Sequence, residues 1–327
     1  MNLLGRQLLR PAVAAAYRHG DRARLPVLMY HRVLERADPL QPGLIHAAQA
    51  DAQFKVLSDL FTVLPLHEAA DLLKQGRLPP RAISLTFDDG YRDNHDVAMP
   101  LLKRHGITAT FYIATGFIDG GRMFHDSVIE GVRRLPSGQF ALQGLGLPAF
   151  TISDDPSRRA AIGDIVKAIK YLEPAQRQTV CDELARAAGN NLPRDLMMTS
   201  DELAAMARSG MCIGGHTVQH PILQSVDEAV ARDEIVANRA ALTTIVGHPP
   251  RTFAYPNGKP RKDYSTSHVR MLREAGYEAA VSTAVGVSDR HADVFQLPRF
   301  VITESTYSTI LFRLLRMSSV LTNDYTC

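Results

Sequence analysis

Short apolar runs alternate with amphipathic stretches along most of the chain. The first run, Leu25-Pro-Val-Leu-Met-Tyr30, ends at His31 and Arg32. The second, Ala82-Ile-Ser-Leu-Thr-Phe87, is rich in β formers and is cut off by the turn sequence Asp88-Asp-Gly90. Val97 to Arg104 reads as a helix closed by Gly106, a residue suited to the position just past a helix end. Ala109-Thr-Phe-Tyr-Ile-Ala114 then reads as another buried strand. A strand, a helix and a strand within about 35 residues make a βαβ unit, and hence a parallel sheet.

The middle of the chain has a different pattern. Asp126 to Leu135 and Asp155 to Ala188 are helical and charged, with no strong strand. Ile162, Ile165, Val166, Ile169 and Leu172 recur at helical spacing, which predicts a helix packing on the core. Residues 120–195 are therefore expected to be a helical insertion in one connection. Thr199-Ser-Asp-Glu202 has the form of a capping box, and its helix ends at Gly210 before the strand Met211-Cys-Ile213. The alternation resumes as helix 227–246, strand 252–255, helix 264–275, strand 278–282 and a last strand near Phe300 to Ile302. Such alternation predicts an α/β protein with barrel-like closure.

Composition narrows the function classes. The chain has 327 residues, of which 45% are hydrophobic and 22% charged, which excludes disorder and fibrous repeats. The net charge is only +3 and no basic run appears, so no nucleic-acid partner is expected. Cys181, Cys212 and Cys327 form neither a disulfide framework nor a metal pair, and a reducing compartment is the mild inference. No apolar run is long enough for a membrane span. Residues 3–17 read as a terminal helix, with a peripheral contact at a membrane surface as the second reading.

Three segments stand at the expected C-terminal ends of strands, where parallel α/β folds place their sites. They are Thr86-Phe-Asp-Asp-Gly90, Gly214-Gly-His-Thr-Val-Gln-His-Pro221 and Phe253-Ala-Tyr-Pro-Asn-Gly258. His216 and His220 are four apart, which on a helical turn puts both imidazoles on one side. With 12 histidines in the chain, that pair alone is weak evidence. Asp88 and Asp89, taken alone, read first as a turn. The combination changes the picture. One carboxylate and two histidines make a three-ligand set with metal positions left open, and the second carboxylate is free to act as a base. These are the parts of a hydrolase.

On these motifs the sequence resembles the polysaccharide deacetylases, the NodB-homology family of carbohydrate esterases. The resemblance runs from about Pro26 to Ile302, and Pro26-Val-Leu-Met-Tyr-His31 looks like the opening of the bacterial exopolysaccharide branch. It implies a distorted (β/α) barrel with fewer than eight regular strands. It divides the chain into an N-terminal arm (1–24), a catalytic domain (25–305) carrying the helical insertion, and a C-terminal helix or tail (306–327). It also implies a divalent metal, usually zinc, and removal of acetyl groups from an N-acetylated glycan or its precursor. Carried over by position, Asp88 is the general base, and Asp89, His216 and His220 hold the metal. The segment around Tyr255 and Asn257 faces the substrate, with a backbone N–H at Asn257 for the oxyanion.

Two departures from the family pattern matter. Its usual arginine before the proline of the third motif is Ala254 here, and its usual final histidine is absent from Leu297-Pro-Arg299. The chain also lacks tryptophan, and with it the family's usual tryptophan near the site. Arg299 is expected to supply the missing guanidinium to Asp88, because arginine can grip a carboxylate through two parallel hydrogen bonds. His31 is the candidate general acid. His125 and Asp126 leave two readings, a substrate contact and an ordinary helix cap, of which the cap is the commoner. A non-catalytic glycan-binding protein and an amidohydrolase for a small non-sugar amide stay open as alternatives. A cytoplasmic protein acting on precursors, peripheral at the membrane, fits the sequence best.

Overall fold

Apolar runs of the sequence become neighbouring strands of one curled sheet. The computed structural model describes residues 3–142, 149–321 and 327. Six strands lie side by side in chain order: β1 (Leu25–Tyr30), β2 (Ala82–Phe87), β3 (Thr110–Ile113), β4 (Cys212–Gly215), β5 (Thr252–Ala254) and β6 (Ala279–Val281). All their pairings are parallel. A short strand, β7 (Val287–Ser288), pairs antiparallel with the start of β1, and Thr62–Val63 adds a two-residue pairing to β2. The register matches Tyr30 with Phe87, and Phe253 with Gly215. The residues that follow each strand, His31, Asp88, His216 and Tyr255, therefore leave the sheet at one rim.

The sheet is open between β6 and β1, and an irregular segment spans the gap. Leu297 bridges to Val281 and Phe300 to Leu28, each as a single parallel pair. Leu297 N–H donates to Ala280 O at 3.0 Å and Phe300 N–H to Val27 O at 3.1 Å. The last strand expected near Phe300 to Ile302 is thus only this bridge. Pro298 between the two pairs has no N–H to continue a ladder. The result is a half-barrel of the NodB-homology type, the distorted (β/α) barrel expected above.

Helices cover the outside. Among them are α1 (Leu3–Tyr17), α2 (Ala47–Leu60), α3 (Leu66–Lys74) and α4 (Met99–Arg104). A π-turn, Asn94–Ala98, precedes α4 where Pro100 withholds its N–H from the helical ladder. Phe54, Leu57, Phe87, Phe111, Ile310 and Leu314 lie in the largest apolar cluster, together with Val13 and Tyr17 of α1. Among the described residues, no helix is long and apolar enough to cross a membrane.

The insertion follows β3. It comprises α5 (Phe124–Arg134), α6 (Asp155–Ile169) and α7 (Pro174–Ala187), with a hairpin of Gly138–Phe140 against Phe150–Ile152 that the sequence pattern does not announce. Ile165 and Ile169 are buried, but they pack with Val128, Val132 and Leu184 in a separate cluster rather than on the sheet core. The connection is long enough to build its own apolar centre, which corrects the expected packing. Residues 143–148 of the insertion and 322–326 of the expected C-terminal tail lie outside the described residues. The remaining helices are α8 (Ser200–Arg208), α9 (Glu228–Val246), α10 (Thr266–Glu274) and α11 (Tyr307–Met317). The capping box expected at Thr199 forms with Glu202.

Candidate metal centre

The loops at the rim hold unusual backbone. Asp89 (φ +82°), Thr217 (φ +64°), His220 (φ +51°) and Asn257 (φ +56°) are non-glycine residues in the left-handed region. Each costs on the order of 1–3 kcal/mol, and Thr217 is β-branched, for which the conformation is rarest. Such strain survives only where neighbours hold it, and here α9 does so. Asn238 accepts from His216 N–H at 3.1 Å and donates to Ile113 O, Thr115 Oγ1 and Thr217 O at 2.9, 3.0 and 2.5 Å. About one turn earlier, Glu234 accepts from the N–H groups of Val218 and Gln219 at 2.7 and 2.8 Å. The two histidines therefore converge from a loop, not from the helical turn that their spacing suggested. Backbone groups are satisfied by α9 side chains instead of by a helical ladder. Sequence reading passed over Asn238, although a polar residue among the buried positions Ala231, Ile235 and Leu242 was a visible signal.

Asp89, His216 and His220 offer three ligand atoms that lie within 4.8 Å of one another. Asp89 Oδ1 is 3.4 Å from His216 Nε2 and 3.5 Å from His220 Nε2. Atoms about 2.1 Å from a common tetrahedral centre sit about 3.4 Å apart, so this spacing suits a small divalent cation. His216 Nδ1 lies 2.7 Å from Ala254 O. That contact assigns a proton to Nδ1 and leaves Nε2 facing Asp89, where a cation would take the place of a second proton. Burial, with His216 beside it, pushes the His220 imidazole down to about 3, so that ring is neutral and able to coordinate. Burial also opposes charge on His216, but its bond to Asp89 wins and raises it. The Asp89 carboxyl, despite burial, is held far below the usual carboxylate range by the hydrogen bond from His216 and by His31 and His220 nearby. The residues fit a divalent metal. A second cluster, His95, Asp96 and Glu202, already has Arg92 Nε between its two carboxylates at 3.2 and 3.1 Å.

The adjacent carboxylate has a different partner. Asp88 is gripped by Arg299, with Nη1 to Oδ1 at 2.7 Å and Nη2 to Oδ2 at 2.8 Å. Arg299 also donates Nε–H to Ser282 O at 3.0 Å and Nη1–H to Thr86 Oγ1 at 3.1 Å, and it is 1% exposed. Burial alone would push the Asp88 carboxyl up, but the guanidinium outweighs it and keeps the group below the usual range. Asp88 is thus a charged, oriented carboxylate beside the ligand set and separate from it.

The other residues singled out from sequence divide. His31 leaves β1 at the same rim and acts electrostatically on both aspartates, and its side chain makes no hydrogen bond among the described residues. Asn257 carries a backbone N–H without an acceptor among the described residues, while its carbonyl accepts from Thr283 Oγ1 at 2.6 Å. Tyr255 is turned inward. Its ring stacks on Tyr264 at 3.7 Å and its hydroxyl donates to Phe295 O at 3.0 Å, so its side chain supports the loop from below. His125 and Asp126 do not cap α5, whose N-cap position is Met123. Both meet the hydroxyl of Tyr91, two residues after Asp89.

Comparison with known proteins agrees with this geometry. The chain is 20% identical over 279 residues to the Bacillus subtilis protein named "Putative polysaccharide deacetylase YxkH", covering 85% of this chain and 71% of that one. It is 26% identical over 243 residues to the poly-β-1,6-N-acetyl-D-glucosamine N-deacetylase of Staphylococcus epidermidis, covering 67% and 81%. Its fold is similar to that of the Streptococcus pyogenes deacetylase PplD in complex with acetate, with a TM-score of 0.61 at 18% identity, covering 89% of this chain and 98% of that one. The polysaccharide deacetylase family model matches residues 75–280, a span that contains Asp88, Asp89, both histidines and the whole insertion. With the half-barrel and the Asp–His–His cluster in place, that match shows that the chain belongs to the polysaccharide deacetylase family.

Proposed function

We propose that this protein is a metal-dependent deacetylase that hydrolyses the acetamide of N-acetylated sugars in a polysaccharide or its lipid-linked precursor, within the exopolysaccharide branch of its family. The observation that carries the reading is the division of labour between neighbours. Asp89 joins the histidines, while Asp88 is held apart by Arg299. A glycan-binding surface has no need of a base beside a metal. The name of the staphylococcal relative and the acetate in the streptococcal structure support the same chemistry.

In this reading Asp89, His216 and His220 hold a divalent cation, for which zinc suits the two-nitrogen, one-oxygen set. The cation supplies polarisation of the acetamide carbonyl and lowers the pKa of a water to about 7. Asp88 takes the proton of the attacking water, and Arg299 keeps its carboxylate ionised and aimed. The N–H of Asn257 faces the developing oxyanion, a donor worth about 3 kcal/mol of barrier. Tyr255 and Thr283 hold that N–H in place. His31 gives a proton to the departing amine. The protein acts in the cytoplasm on precursors, and the 77% exposed Leu8 on α1 supports a peripheral contact with the membrane surface.

The test is acetate release from N-acetylglucosamine oligomers with added zinc, with cobalt and with chelator. Wild type should release acetate only with metal, and Asp88→Asn should lose at least about a thousandfold in rate while binding the metal normally. Release that persists in Asp88→Asn would remove the base from the mechanism. Absence of release by metal-loaded wild type would favour the small-amide or glycan-binding alternatives.

A further inference from the structure

The carboxylate of Asp126 has no part in the steps above, and packing does not account for it. It is 2% exposed in the first turn of α5 and accepts hydrogen bonds from the Tyr91 hydroxyl at 3.0 and 3.2 Å. The same hydroxyl is 2.7 Å from His125 Nε2, and that nitrogen is 3.9 Å from Asp126 Oδ2. Arg32 lies over the Tyr91 ring at 4.6 Å, but its Nε–H goes to Asp93. A carboxylate taken out of water with no direct guanidinium partner is costly, by several kcal/mol before its hydrogen bonds are counted.

Tyr91 follows Asp89 by two residues and is pinned there by the segment that precedes α8, with which it forms a single antiparallel bridge at Met197. Met198 N–H donates to Gly90 O at 3.0 Å and Arg92 N–H to Leu196 O at 2.8 Å, one on each side of it. The start of α5 borders the histidine loop as well. Arg122, Met123 and Phe124 line a cavity of about 230 Å³ together with His220 and Pro221. Between these two anchors, the His125 side chain is 29% exposed. Its Nε2 is engaged by Tyr91, and Nδ1 makes no hydrogen bond among the described residues. A group that fixes one ring nitrogen of an imidazole also sets the tautomer and direction of the other.

We propose that His125 is a substrate-binding residue, backed by Tyr91 and Asp126, that presents its outer ring nitrogen to a hydroxyl or amide group of the sugar on the insertion side of the metal cluster. The proposal rests on the deacetylase reading and adds to it a residue that makes the insertion part of the substrate site. Asp126 is then a positioning residue.

Kinetics on the N-acetylglucosamine tetramer test it, with metal content and melting temperature measured in parallel for His125→Ala, His125→Gln and Asp126→Asn. His125→Ala should raise KM about tenfold, the loss expected for one hydrogen bond to the sugar, with kcat changed less than about threefold. His125→Gln, which keeps a polar amide, should recover part of the loss, and Asp126→Asn should fall between. Metal content and melting temperature should match wild type in the His125 variants. An unchanged KM in a folded, metal-loaded His125→Ala overturns the proposal. So does a loss that tracks falling metal content or melting temperature, which marks a structural role. Calorimetric binding of the tetramer to Asp88→Asn, with and without His125→Ala, reads the same contact without turnover. Equal affinities there overturn the proposal, whereas failure of wild type to release acetate strikes the deacetylase reading alone.

Discussion

The rim of the sheet and the helical insertion bury their side chains by different rules. At the rim, polar groups meet across long stretches of chain: Arg299 grips Asp88 from 211 positions away, and Asn238 gathers groups more than 120 positions back. Every one of those bonds answers a desolvation cost, so the rim tolerates one arrangement and resists others. The insertion is held largely by apolar contact within itself. Leu184 of α7 packs so closely on α5 that a Cβ added at Gly131 would lie 3.1 Å from the leucine Cβ. A self-contained apolar cluster can be repacked with little consequence for the chemistry beside it. The exception is the first turn of α5, where His125 and Asp126 reach back to Tyr91. The comparison teaches that the candidate metal centre sits in the polar rim, and that the insertion meets the Asp89 loop where polar side chains cross the boundary.

The sharpest way to break this contrast is Arg299→Ala. It leaves Asp88 buried and unpaired, so stability should fall by about 3–5 kcal/mol. The rate of acetate release should fall on the order of a hundredfold, with metal content intact in the folded fraction. Loss of the metal in folded protein would mean that Arg299 supports the ligand set instead. Next in size is Leu184→Ala, which opens a cavity in the insertion and should cost about 2–5 kcal/mol. Hydrogen exchange should show the loss confined to α5, α6 and α7, with metal affinity unchanged; protection lost equally in β2 and β3 would join the two regions into one unit.

The smallest effect is expected at Asp38, where Arg133 of the insertion reaches a loop of the barrel side through Nη1 and Nη2 at 3.2 and 2.5 Å. Burial works against the Asp38 carboxylate, but the Arg133 hydrogen bonds prevail and hold its pKa below the usual range. Its stabilising contribution is therefore present above a pH of about 4, the unfolded value, and is lost as pH falls through the lower folded value. The pair is partly exposed, so Asp38→Asn should cost less than about 1 kcal/mol at neutral pH, and the difference from wild type should shrink in acid. Urea titrations at pH 7 and pH 3 check this. A difference that grows in acid would reverse the assignment.

Much of this architecture was legible before any coordinates. The runs at Leu25, Ala82, Ala109 and Met211 became strands at or within a residue or two of their expected bounds, because short buried strands are written locally as apolar, β-branched runs. One carboxylate of the Asp88–Asp89 pair with His216 and His220 was legible as a set because metal ligands come from few residue types and stand at strand ends, and the family resemblance assigned Asp89 to it. The separate apolar centre of the insertion was not legible. Ile165 and Ile169 have the same helical period whether they face a sheet or two other helices, and period alone does not identify the partner. The role of Tyr91 was hidden for a similar reason: nothing near it in sequence announces that His125 and Asp126 meet its hydroxyl.

By itself the sequence determined the parallel α/β order, the positions of the strand ends and the inventory of groups able to hold a metal or a proton. These depend on residue type and short-range periodicity. Only the tertiary structure decided that the histidines converge from a strained loop instead of a helix, that Asn238 of α9 holds that loop, and that two single bridges on either side of Pro298 are all that span the open side of the sheet. Those outcomes depend on which distant chain segments satisfy one another's buried hydrogen bonds, and that balance is struck only when the sheet has curled and brought its rim together.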